Sequence, residues 1–195
     1  MAVKTVQPQK DHQPTRITVD QYEHMVQAGV FAEDERIELI EGQILNMSPI
    51  GSAHSGQVKR LNRILAKQVA DLALISIQDP IRLPQSEPQP DLALLKPRDD
   101  FYASAHPTAR DVLLVVEVAD TSADYDRNEK IPLYGRSGIA EAWLIDLANR
   151  SIEVYRGPGR AGFAEKKTYA HGDELAPVAL PEIHLAVAEI LGASA

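Results

Sequence analysis

Cysteine is absent from the 195 residues, which excludes disulfides, zinc–thiolate centres and thiol nucleophiles and leaves carboxylates and histidines as the candidate metal ligands. Any metal held by such side chains would be a hard cation. Positive charge is scarce as well: 20 Lys and Arg against 28 Asp and Glu give a formal net charge of −8, so phosphate is not attracted by the overall field. Contact with nucleic acid would need a local basic patch. No apolar run approaches the ~20 residues of a membrane span, and the opening MAVKTVQPQKDHQPTR is polar and of mixed charge, unlike a secretory signal. The expectation is a cytoplasmic protein with no membrane partner.

What is present suits one domain with a core of its own. Residues 1–16 read as a flexible arm and residues 17–195 as the domain. Thr18, with Gln21 three positions on, forms a capping box and predicts a short helix to about Ala28. In RIELIEGQILNM, apolar clusters flank Glu41-Gly42, the pattern of two strands and a tight turn. From Ser52 to Leu72, the residues Val58, Leu61, Leu65, Val69 and Leu72 recur at helical spacing. The other side of that helix carries Lys59, Arg60, Arg63 and Lys67, either a solvated face or a stripe that follows phosphates. Strands are predicted over Ala73–Gln78, Asp91–Leu95 and Val112–Ala119, then a helix over Ala123–Ser137 capped by Gly138, and a strand EAWLID. Ala148-Asn149 turns into SIEVYR, GPGRAG punctuates before a strand FAEKKTYA, and PEIHLAVAEIL reads as a last helix.

The chemistry concentrates around EPQPDLALL, where an aspartate stands at the mouth of an apolar run held extended by Pro88 and Pro90. A second acid, Glu117, lies inside DVLLVVEVAD, a strand apolar enough to be buried on both faces. An unpaired carboxylate there would cost several kcal/mol or be forced neutral. If the two strands are antiparallel neighbours, Asp91 meets Glu117, and alternation places Asp91, Ala93 and Leu95 on one face with Leu113, Val115 and Glu117. Two anions side by side call for a cation, and Mg2+ or Mn2+ with oxygen ligands meets that need. Taken alone, the pair also fits a strand-end cap beside a salt-bridged glutamate. In YDRNEKIPLYGRSG, Asp126, Lys130 and Tyr134 share a helix side, so Lys130 can lean toward the carboxylates, and Pro132 should loosen or kink the first turns.

A P-D at a strand start, a Glu on the next strand and a nearby Lys resemble the PD-(D/E)xK nuclease superfamily. The strings RIELIEGQI, SPIGSAHS, QPDLALL, VVEVADTS, DRNEKIPLYGRSGIAEAWLID and IEVYR, in this order, look more closely like the Uma-two family of restriction-endonuclease-like bacterial proteins. The resemblance runs from about Thr18 to the last helix. It implies an α/β restriction-endonuclease-like core, a central mixed β-sheet flanked by helices, with an additional N-terminal hairpin and C-terminal strands.

The resemblance makes Asp91 and Glu117 the metal ligands for Mg2+ or Mn2+, Lys130 the catalytic lysine displaced from strand to helix, and Glu38 a further acid that reaches the metal directly or through water. It implies metal-dependent hydrolysis of phosphodiester bonds in DNA, with Lys59, Arg60, Arg63 and Lys67 guiding the backbone. His54, at the start of the basic helix, either touches a phosphate at the edge of the site or is structural. Tyr134 and Trp143 read mainly as packing residues and Asp146 as a turn residue. Two positions depart from the family pattern. Ala119 stands where E-x-K would place lysine, and Asp120 where a small hydroxyl residue is common. Both leave open a module that keeps the nuclease core and binds nucleic acid or protein without turnover. Cutting a duplex needs two sites, so a homodimer is a further expectation.

Overall fold

The computed structural model describes residues 15–32 and 34–192; the arm expected at 1–16 lies outside them except for its last two positions. Helix α1 (Val19–Gln27) begins at the predicted capping box, with the Thr18 hydroxyl accepting from the Gln21 N–H at 3.2 Å and the Gln21 side chain accepting from the Thr18 N–H at 3.0 Å. Its buried Val19 and Tyr22 pack on Ile37 and Leu39. Strands β1 (Ile37–Ile40) and β2 (Gln43–Asn46) form an antiparallel hairpin around Glu41 and Gly42, whose φ values of 47° and 78° are what a two-residue hairpin turn requires. Helix α2 (Ser52–Val69) buries Val58, Leu61, Leu65 and Val69 as the spacing predicts. Leu72 departs from the pattern at 45 % exposure, because the α-helix ends at Val69, Ala70 breaks its path at φ 40°, and the 3-10 turn Ala70–Leu72 carries Leu72 off the face.

The sheet follows: β3 (Leu74–Ser76), β4 (Leu92–Leu95), β5 (Val112–Ala119), then α3 (Ala123–Tyr125), a π-helical turn (Asp126–Lys130) and α4 (Ile131–Arg136). Next come β6 (Glu141–Asp146), β7 (Ser151–Gly159) and β8 (Gly162–Tyr169). The six strands lie in chain order, antiparallel except for β5 and β6, which are parallel and joined by the helical crossover. This is the mixed sheet expected. GPGRAG does not separate the last two strands. They pair through it, with Pro158 opposite Phe163 and Gly159 opposite Gly162. The tail also differs: Leu185–Ala186 is strand β10, paired with β9 (Glu174–Leu175), and α5 covers only Val187–Leu191.

Two apolar layers sandwich the sheet. On one face Leu92, Leu94, Leu114, Val116 and Val118 pack under α2 and α5. On the other, Ala93, Leu95, Val115 and Ala119 pack with Ile131, Leu133 and Tyr134. A bulge opposite Leu94 and Leu95 makes Leu113 the extra residue of β5, so Val112, not Leu113, shares the face of Val115. Helix α4 ends as Gly138 predicts: φ is 86° there, and the Gly138 and Ile139 N–H groups return to Gly135 and Tyr134 carbonyls. Among the described residues no helix is long and apolar enough to cross a membrane.

Candidate active site

The register of β4 and β5 pairs Leu92 with Val116, so Asp91, one step before β4, stands opposite Glu117. The two prolines hold Asp91 extended at the strand mouth, and its carboxylate caps the end of the ladder: Oδ2 accepts the Val118 N–H at 2.9 Å and the His54 Nε2–H at 2.9 Å, while Oδ1 accepts from the Gln78 amide at 3.2 Å. Burial by itself would raise the Asp91 pKa, but the His54 bond and charge, with Val118 and Gln78, bring it below the usual carboxylate range. His54 is correspondingly raised by its bond to Asp91, against burial. It thus touches the site at Asp91, while its other ring nitrogen, Nδ1, is buried with no partner among the described residues.

Glu117 is 2 % exposed, and a Lys130 that is 4 % exposed answers it. Lys130 Nζ lies 2.8 Å from Glu117 Oε1 and 3.4 Å from Glu38 Oε2. The Tyr134 hydroxyl donates to the same Glu117 oxygen at 2.5 Å, and Glu38 also accepts the Gln89 N–H at 3.3 Å. Burial pushes the Glu117 pKa up to about 8, opposed by Lys130 and reinforced by Asp91 and Asp126. The same carboxylates hold Lys130 above its usual value despite burial. Asp126, also buried, has its carboxyl raised by burial although Ser122 donates to it at 2.6 Å.

Local sequence explains how Lys130 arrives there. Pro132 has no N–H to give to the Asn128 carbonyl, and the chain widens into the π turn at Asp126–Lys130, the Ile131 N–H reaching back five residues to the Asp126 carbonyl. Lys130 and Asp126 are both buried on the inner side of that turn, with Tyr134 one turn on. The loosening expected of Pro132 takes this form.

Glu38, His54, Asp91, Glu117, Asp126 and Lys130 line a cleft of about 640 Å³ whose walls include Arg36, Met47, Ile50, Asp120 and Tyr125. Asp91, Glu117, Glu38, Lys130 and His54 therefore meet in one place. Lys59, Arg60, Arg63 and Lys67 do not join them: they line a separate groove of about 630 Å³ with Gly56, Ile64 and Glu189. The sequence reading missed the site roles of Tyr134 and Asp126, although the four-residue spacing that singled out Lys130 includes both. Asp146 does accept the turn N–H of Asn149 at 2.9 Å, and it also pairs with Arg127 at 3.1 Å. Trp143 is buried and donates to Glu141 at 2.9 Å.

A divalent ion is what a restriction-endonuclease-like fold implies, and the donor set fits one. Lys130 and Tyr134 both meet Glu117 at Oε1, Asp91 stands opposite it on the neighbouring strand, and both acids line the cleft. Glu38, expected to reach the ion directly or through water, is turned to Lys130 and Gln89, and no group of three His, Asp or Glu side chains converges among the described residues. Two carboxylates with the remaining positions open to water and phosphate is a common Mg2+ arrangement.

A mixed sheet flanked by helices, with a paired acid and lysine at the mouth of the parallel strands, defines an α/β nuclease-like fold. The family profile described as "Putative restriction endonuclease", Uma2, matches residues 19–188, and the chain belongs to that family. A crystal structure of a "putative nuclease belonging to DUF820" from Anabaena variabilis superposes with a TM-score of 0.73 at 20 % identity, covering 90 % of this chain and 97 % of that one, which shows a shared fold. No curated protein matches the chain.

Proposed function

We propose that the cleft hydrolyses phosphodiester bonds in DNA with Mg2+ or Mn2+. The carrying observation is Lys130, buried between Glu117 and Glu38 and lining the same cleft as Asp91. Asp91 and Glu117 would hold the ion, and a bound ion would supply an activated water and charge for the leaving oxygen. Lys130 is fixed as a cation by its two carboxylates, so it can hold a non-bridging phosphate oxygen or orient the attacking water. Tyr134 fixes the Glu117 rotamer by its bond to Oε1, and Glu38 holds Lys130 from the other side. His54 keeps Asp91 ionised and turned toward Val118. The groove formed with Lys59, Arg60, Arg63 and Lys67 would bind the substrate's backbone away from the scissile bond.

The nearby Ala119 is buried against the α4 layer, so the lysine that E-x-K places on the strand is here delivered by the π turn. The test is calorimetric titration of Mn2+ with wild type and Asp91→Ala/Glu117→Ala, followed by cleavage assays with Glu117→Gln. Saturable binding lost in the double variant, and cleavage lost in Glu117→Gln with cooperative unfolding retained, are the expected results. Metal binding without cleavage of any polynucleotide would turn the reading toward a binding module that keeps the fold.

A further inference from the structure

The groups that would do the chemistry are at the floor of the cleft. Glu117, Lys130, Glu38 and Asp126 are each 5 % exposed or less, and Asp91 is 9 % exposed. A cleft of about 640 Å³ is of the size that encloses small molecules, within the ~300–1,000 Å³ usual for such pockets. A duplex presents its phosphates on a convex surface, with grooves roughly 6–12 Å wide between them. Its backbone therefore stops at the rim of such a cleft. To bring a phosphodiester to Glu117 and Lys130, one strand has to enter by itself, and the bases beside the scissile bond then lose their stacking partners.

The walls are built to receive such bases. Leu45, Met47, Pro49 and Ile50, from β2 and the segment that leads into α2, make the cleft apolar on that side, and Ile50 remains 41 % exposed. Tyr125, on α3, is the one aromatic besides His54 among the described residues lining the cleft, and 37 % of it is exposed although it borders a concave site. An open aromatic ring with an apolar wall is the means by which single strands are bound without regard to sequence, each base offering a π face. Arg36, half-buried in the same lining and donating to the Ser48 carbonyl at 3.2 Å, adds a cation for the entering backbone.

We infer that the cleft takes an unpaired polynucleotide strand, with a base seated on Tyr125 and its neighbouring phosphate carried down to Lys130. This rests on the nuclease reading and narrows its substrate. Strands without a partner, at single-stranded stretches, flaps or loops, are the substrates, and a closed duplex is not. The pocket contacts named here carry no information on the sugar, so DNA and RNA strands are separate arms of the test.

The experiment measures fluorescence anisotropy of labelled single-stranded DNA, single-stranded RNA and blunt duplex of one sequence, in EDTA to prevent turnover, with wild type, Tyr125→Ala and Tyr125→Phe. Oligomers carrying 2-aminopurine report stacking directly, and metal-dependent cleavage of the three substrates is followed in parallel. The inference expects at least tenfold tighter binding of a single strand than of the duplex. It also expects Tyr125→Ala to weaken single-strand binding by about fivefold or more and to relieve the 2-aminopurine quench, while Tyr125→Phe keeps both. Duplex binding as tight as single-strand binding, or no response to Tyr125→Ala, overturns the inference. If the duplex is bound and cut, the nuclease reading stands without it; if no polynucleotide is bound or cut, both fall.

Discussion

At the scale of single residues, Lys130 decides whether the buried acids are tolerable. Among the described residues it is the cation within 4 Å of both Glu117 and Glu38, and removing one member of a buried ion pair costs about 3–5 kcal/mol wherever the remaining carboxyl is ionised, because that charge then stays in a medium that solvates it poorly. Lys130→Met should therefore unfold at markedly lower urea concentration. The loss should depend on pH, because Glu117 already has a folded-state pKa raised to about 8 by burial, and the variant removes the opposing ammonium. A raised carboxyl pKa means that the folded state binds the proton more tightly than the unfolded one. Stability is then fullest below the unfolded value and falls as pH rises through the folded value. Urea titrations at pH 6 and pH 9, on either side of that folded value, should show the wild-type-to-variant gap widening at pH 9, where wild-type Glu117 ionises against Lys130 and the variant has no cation to answer it; an unchanged gap would mean that Glu117 is not the group left uncompensated. Much of this meeting of side chains was legible in the chain, since Asp91 after Q-P, Glu117 inside an apolar strand and Lys130 in the next helix all announced themselves. The Tyr134 bond was not, because a tyrosine on a buried helix side reads as packing until the tertiary fold brings its hydroxyl to a carboxylate.

At the scale of elements, the regularities that local pattern controls came through, and those set by long-range pairing did not. The Thr18 cap, the Glu41-Gly42 turn and the buried stripe of α2 follow from spacing and turn chemistry. The bulge at Leu113, the pairing of β9 with β10 and the shortened α5 depend on partners distant in sequence. One such long-range fastening holds α1. Arg82 reaches Asp20 and Glu23 on that helix, and the buried Glu87, paired by its backbone with Leu39, faces Glu23. Burial, then the charge and hydrogen bond of Glu23, push the Glu87 carboxyl up to about 7, with Arg82 opposing, and its Oε2 is buried with no partner among the described residues. Asp20, Glu23 and Arg82 are the charged groups that face this corner from α1 and from the segment before β4. The folded state again holds the proton more tightly, so this contribution is complete below about pH 4.5 and is lost as pH climbs through 7. Glu87→Gln should flatten the stability profile over that window and raise the melting temperature at pH 8, as read by calorimetry at pH 5, 6.5 and 8. A steeper profile in the variant would place the titration elsewhere.

At the scale of the whole molecule, the distribution of charge matters more than its sum. The net charge of −8 and the acids of the cleft repel a polyanion, whereas Lys59, Arg60, Arg63 and Lys67 gather on one face of α2 beside a single lining acid, Glu189. The sequence showed this stripe but not its place, because the direction in which the polar side of a helix points is fixed by what its apolar side covers. Here that side covers the sheet face opposite the α4 layer, so the basic groove is separate from the cleft while His54, at the start of the same helix, touches Asp91. On the proposed function the helix joins two tasks: its first turn supports the reacting acid, and its later turns neutralise backbone phosphates further along the strand. Each neutralised phosphate releases counterions, which makes log K fall with log salt by about 0.7 per contact on a single strand. Lys59→Ala/Arg63→Ala/Lys67→Ala should therefore lower the magnitude of that slope by about 2, weaken binding alike for every sequence at low salt, and leave the single-turnover rate at saturating substrate close to wild type. Anisotropy titrations across a salt series, paired with single-turnover cleavage, separate the two tasks. An unchanged slope would return the stripe to a merely solvated face, and a collapsed rate at saturation would mean that the groove and the cleft act as one site.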